Sequence, residues 1–122
     1  MIVVATDAPL DARNLERLAK RAFMGMAKSG GIASNGSGDY VIAFSTAEAL
    51  RVPHQPAQPV NQAGYLHNDF TSQLFMSAIE ATEEAIINSL FAAKTVTGNN
   101  GRKIEALPLD QVIPILKKYN RL

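Results

Sequence analysis

At 122 residues, with 47% apolar and 19% charged side chains, the chain can bury one substantial core but not two. A net charge of +1 gives no electrostatic case for nucleic acid or anionic lipid, and no stretch nears the ~18 apolar residues of a membrane span. Without cysteine there is no disulfide, thiol nucleophile or thiolate metal site, while the compartment stays open.

The run Met1-Ile2-Val3-Val4-Ala5-Thr6 reads as a buried strand. Terminal residues usually fray, so this position suggests a gene start close to the fold or a subunit released by cleavage just upstream. The opening carries no signal-peptide pattern. If cleavage made the end, its amine stands at the edge of a packed core, where it can serve as a base.

Asp7-Ala8-Pro9-Leu10-Asp11 is turn-and-cap chemistry, with Asp7 or Asp11 able to accept from the free amides of a following helix. Leu15, Leu18, Ala19, Ala22, Phe23 and Met26 then recur at helical spacing, and Ser29-Gly30-Gly31 stops that helix. Tyr40-Val41-Ile42-Ala43-Phe44 is a second strand, apolar throughout and therefore expected to be covered on both faces. Pro53, Pro56 and Pro59 punctuate an irregular stretch over 46–66, either a functional loop or a segment laid across another subunit.

A long helix is predicted from Asn68 or Asp69 to about Lys94, with Phe70, Leu74, Phe75, Ala78, Ile79, Ile86 and Leu90 on one stripe. Thr82 is its one polar member. Gly98-Asn99-Asn100-Gly101 is a turn, and a last amphipathic helix carries Val112, Ile113, Ile115 and Leu116. Pro114 is expected near its start, where a first-turn proline is tolerated. The predicted order is β-α-β-loop-α-α, one domain over residues 1–122. Two buried strands make no stable sheet alone, so the missing strands are expected from an obligate partner chain. The slight aliphatic excess points the same way.

Asn35-Gly36-Ser37-Gly38-Asp39 is the best local candidate for chemistry. Gly36 and Gly38 let the backbone approach a ligand, such as a substrate, closely, and successive amides there can turn inward on an anion or a developing oxyanion. Ser37 and Asp39, two residues apart at the mouth of a strand, can point into one site. By pattern alone the plainer reading is a glycine-rich turn, because the flanks match neither a nucleophile elbow nor a P-loop. His54 and His67 lack a partner histidine at ligand spacing and read as surface or interface residues; no metal site is expected. Glu80, Glu83 and Glu84 share one side of the long helix, usually a solvated face and otherwise a seat for a substrate ammonium.

Taken together, Ile2 to Leu10, Asn35 to Asp39 with Ile42-Ala43-Phe44-Ser45-Thr46, Glu80 to Ala85 with Asn88-Ser89-Leu90, and Gly98 to Leu109 resemble a known family. They are similar, in order and along essentially the whole chain, to the small C-terminal subunit of the self-processing aminopeptidases of the DmpA/BapA type. That family comprises L-aminopeptidase/D-esterases and β-peptidyl aminopeptidases. The resemblance implies an α/β chain within a four-layer α/β/β/α sandwich, related to the N-terminal-nucleophile hydrolases. The sandwich is completed by a larger N-terminal chain cut from the same precursor, in a tetramer of two-chain units.

It also implies that the first residue of the small subunit is a serine. This serine attacks the N-terminal amide bond of short peptides, amides or esters, β-peptides included, through an acyl-enzyme and without a cofactor. Some oxyanion donors would come from the larger chain. Ser37 matches the position that assists the nucleophile by hydrogen bonding and proton transfer. Asp39 matches its acidic partner, a glutamate in some members. The nucleophilic serine is expected about two positions ahead of Met1, so the chain as it stands does not supply it. The alternatives are a noncatalytic homologue and an oligomerising or binding module. Localisation, cytoplasmic or periplasmic, is not readable, because a signal peptide would lie on the N-terminal part.

Overall fold

The computed structural model describes residues 1–60 and 62–121. Two compact units are present, Met1–Glu83 and the segment from Glu84 onward, with one long helix contributing to each. The first unit holds strand β1 (Ile2–Thr6), helix α1 (Ala12–Lys28), strand β2 (Val41–Ser45) and most of helix α2 (Thr71–Ala92). β1 and β2 pair in parallel, Ile2 beside Val41 through Thr6 beside Ser45, with α1 as the crossover that a parallel pair requires.

Helix α1 starts and stops where its sequence instructs. The Asp11 carboxylate accepts the Asn14 amide at 2.8 Å, which satisfies one of the free donors of the first turn. At the other end Gly30 turns left-handed (φ 98°). Gly30 and Gly31 then donate to the Ala27 and Met26 carbonyls at 3.1 and 3.0 Å, the double closure that glycine makes cheap.

The buried stripe of α1 is Asn14, Leu18, Ala22 and Gly25, rotated from the predicted one toward α2. Gly25 is the reason: with no side chain it adds nothing to an apolar pattern, yet the α2 backbone at Ile79 packs directly against it. From α2, Thr71, Phe75, Ala78, Ile79 and Thr82 are buried. Leu10, Leu18, Phe75 and Ala78 form the core, with Val4, Ala8, Leu15, Leu66 and Leu74 packed around it. The Arg17 and Arg21 guanidiniums lie 4.9 and 4.5 Å from the centre of the Phe75 ring, capping the core with cation–π contacts.

The strands depart from expectation. Burial alternates along both, so Ile2, Val4, Thr6, Val41, Ala43 and Ser45 are partly covered while the opposite face stands open. On that face Val3 is 57% exposed, Ile42 54% and Phe44 44%. An apolar run predicts cover on both sides, but within the first unit the helices supply it on one. Phe70 also departs: it lies in a short 3-10 turn (Asn68–Phe70) ahead of α2 and is exposed.

The second unit contains an unpredicted antiparallel hairpin, β3 (Val96–Thr97) with β4 (Lys103–Ile104), and helix α3 (Leu109–Lys118). Two-residue strands are too short to show an alternating pattern. Asn100 (φ 59°) and Gly101 (φ 72°) make the left-handed turn between them. Pro114 sits sixth in the ten-residue α3, not in its first turn, so the helix forgoes the bond Pro114 would have donated to Asp110.

Candidate active site

The segment between α1 and β2 builds the site. Ser37 donates its amide to the Ser34 carbonyl at 2.8 Å, closing a tight turn over Ser34–Ser37. Gly36 occupies the third position of that turn with φ 89°, a conformation that requires glycine or nearly so. Gly38 differs: its φ is not left-handed, and a methyl there would meet only the Tyr40 ring, at an ordinary 3.5 Å. The local fold therefore accounts for Gly36 but does not itself demand Gly38.

Beyond the turn the chain brings the Ser37 hydroxyl onto the Asp39 carboxylate, with Ser37 donating. Ser37 is exposed and Asp39 half-buried. The acceptor-only carboxylate fixes the hydroxyl proton on its own side, which leaves the lone pairs of Ser37 Oγ free to accept from a third group. The two side chains that the spacing allowed to face one site are thus in contact.

One backbone bond ties this loop to the other strand. Ile2 donates its amide to the Tyr40 carbonyl at 2.9 Å, so β1 begins beside the residue after Asp39. Sequence reading did not single out Tyr40; its signal was position alone, directly after the acidic residue and at the head of a strand.

The other candidates lie elsewhere. Leu66 donates its amide to the Pro9 carbonyl at 2.8 Å, placing the neighbouring His67 past the C-terminal end of β1, the far end of the sheet from Ser37. His54 is exposed in the proline-rich stretch. A depression of about 400 Å³ lined by Leu10, Asp11, Leu15, Phe44, Ser45 and Tyr65 also lies at that far end. Glu83 pairs with Lys28 of the last turn of α1, where a cation is favoured by the helix dipole, while Glu80 and Glu84 are exposed.

Residues 1–104 match the sequence profile of Peptidase family S58. The chain belongs to this family. It is 48% identical over 122 residues to the beta-peptidyl aminopeptidase BapA of Sphingosinicella microcystinivorans, covering all of this chain and 30% of that protein. Among solved structures it superposes on the PH0078 protein of Pyrococcus horikoshii OT3 with a TM-score of 0.89 at 46% identity. It superposes on the L-aminopeptidase D-Ala-esterase/amidase of Ochrobactrum anthropi, described as a variant of the Ntn hydrolase fold, with a TM-score of 0.86 at 32% identity. Each superposition covers 99% of this chain and 34% of the other. The chain therefore spans about a third of the length of these relatives. The mixed helix-and-strand architecture and the Ntn-type likeness agree with the α/β class read from the sequence.

Proposed function

We propose that this chain is the small, catalytic subunit of a serine aminopeptidase that removes the N-terminal residue from short peptides, amides or esters, β-amino acid substrates included. The observation that carries the reading is the Ser37–Asp39 hydrogen bond at the same end of the sheet as the start of β1. Strand register adds support. Ile2 lies beside Val41 and its amide reaches Tyr40, so the parallel pairing carried three residues back from Ile2, to the position two ahead of Met1, falls beside Gly38. A serine there is within reach of Ser37, and the missing Cβ of Gly38 leaves room for it.

In this reading the serine hydroxyl attacks the substrate carbonyl and gives its proton to its own α-amine. That group titrates near ~7.7–8 and is partly neutral at neutral pH. Ser37 Oγ accepts the attacking hydroxyl's hydrogen bond, and Asp39 holds Ser37 in that orientation while its negative charge stabilises the ammonium that forms as the proton moves. The leaving amine departs with the proton, and water then releases the acyl group by the same route. The backbone amides of Gly36 and Gly38 line the substrate side, the Ser37 amide between them being engaged by the Ser34 carbonyl.

A larger chain completes the enzyme in this proposal: it lies over the open sheet face of Val3, Ile42 and Phe44 and makes the four-layer sandwich, four such pairs forming a tetramer. The test is to express the full reading frame and assay it on α- and β-aminoacyl anilides. Release of the aniline by a preparation containing two cleaved chains, the smaller beginning with serine, is the expected result. An uncleaved, inactive product contradicts it.

A further inference from the structure

The loop that carries Ser37 also holds a pair of residues prone to a reaction of their own. Asn35 and Gly36 are both exposed, and the space around a side chain at Gly36 is empty to 4 Å. Exposed loop tips built of small residues are where a backbone meets least resistance to rearrangement. Glycine adds no Cβ to obstruct approach of its own amide to the side chain before it. We propose that Asn35-Gly36 is a site of spontaneous deamidation and isoaspartate formation, a built-in route by which the loop loses its working geometry.

The step balances without an oxidant or any external group except water. The Gly36 nitrogen, giving up its proton to base, attacks Asn35 Cγ; the Cγ–Nδ2 bond breaks and ammonia leaves with a proton. A five-membered succinimide results. Water opens it at either carbonyl, giving aspartate or, when the main-chain carbonyl is attacked, isoaspartate. The isoaspartate product routes the backbone through the former side chain, adding a methylene directly ahead of Gly36. The turn closed by Ser37 and Ser34 then no longer has its spacing, and the Ser37–Asp39 bond is displaced with it. The effect of this displacement on turnover rests on the aminopeptidase reading; the chemistry at Asn35 does not.

A second Asn-Gly pair supplies an internal clock. Asn100-Gly101 is exposed in the β3–β4 turn, with no part in the Ser37 loop. The test incubates the full two-chain enzyme at neutral and mildly alkaline pH, then maps peptides by mass and assays isoaspartate with the isoaspartyl methyltransferase. The expected result is conversion at Asn35 that accelerates with pH, with activity falling in step with the converted fraction. Asn35→Gln, whose longer side chain closes a less favourable ring, should hold its own starting activity through the same incubation. An Asn35 peptide that stays intact, whether or not Asn100 converts, overturns the proposal. Conversion at Asn35 with turnover undiminished leaves the modification standing and counts against the role given to Ser37.

Discussion

Gly25 and Ile79 meet backbone to side-chain position: a methyl placed on Gly25 would stand 2.4 Å from the Ile79 carbonyl oxygen and 2.7 Å from Thr82 Cβ. The first atom belongs to the main chain of α2 and the second to a buried residue, so neither can swing aside. The two helices approach this closely because one of them has nothing to put in the gap.

Gly25→Ala is therefore expected to destabilise the protein by roughly 1–3 kcal/mol, the usual range for overpacking, even though alanine is the better helix former. The midpoint of urea unfolding of the intact protein reads this directly. An unchanged or raised midpoint would mean that the helices are free to separate at this crossing.

The open face of the parallel strands yields a second prediction. Burying an isoleucine contributes ~1.5–3 kcal/mol, so Ile42→Asp should weaken assembly with the proposed larger chain by tenfold or more. Ile42 faces away from α1 and α2, so far-UV circular dichroism should stay close to the parent's. Size-exclusion chromatography of the co-expressed chains measures the assembly. Normal assembly would show that this face meets solvent rather than a partner.

Ala33 is the one residue between Gly30 and Gly36 with a left-handed backbone that is not glycine, at φ 47°. An L-residue there is strained by roughly 1–2 kcal/mol, while glycine costs part of that back through the unfolded chain. Ala33→Gly should raise stability by up to ~1 kcal/mol, measured as an upward shift of the thermal midpoint. A clear drop would mean that Ala33 makes a contact worth more than its strain.

Local instructions were the most legible part of this fold. Asp11 caps α1 and Ser29-Gly30-Gly31 ends it as their chemistry dictates, and both long helices and both parallel strands lie close to where periodicity puts them. What the pattern hides is what packs on what. Gly25 sets the rotation of α1 while carrying no hydrophobic signal, and β3 and β4 are too short to have a period. An apolar strand looks the same whether its second cover comes from this chain or another, which is why Val3, Ile42 and Phe44 were expected to be sheltered. In the site, the two-residue spacing of Ser37 and Asp39 allowed both side chains to face one place, while the pattern alone read more plainly as a glycine-rich turn; their contact shows only in the fold. The link from that loop to the head of β1 depends on register, which only the Ile2–Tyr40 bond and the Ile2–Val41 pairing reveal.

The role of Ser37 is tested most directly with the two proposed chains expressed separately, the smaller one made to begin with the serine proposed ahead of Met1, so that self-cleavage plays no part. The measurement is kcat for an aminoacyl anilide in Ser37→Ala against the parent, with assembly and circular dichroism as controls. The account predicts a fall of roughly 10²-fold or more, in the range that positioned proton transfer contributes, with the assembled enzyme otherwise intact. An assembled Ser37→Ala enzyme turning over at the parent's rate would contradict it.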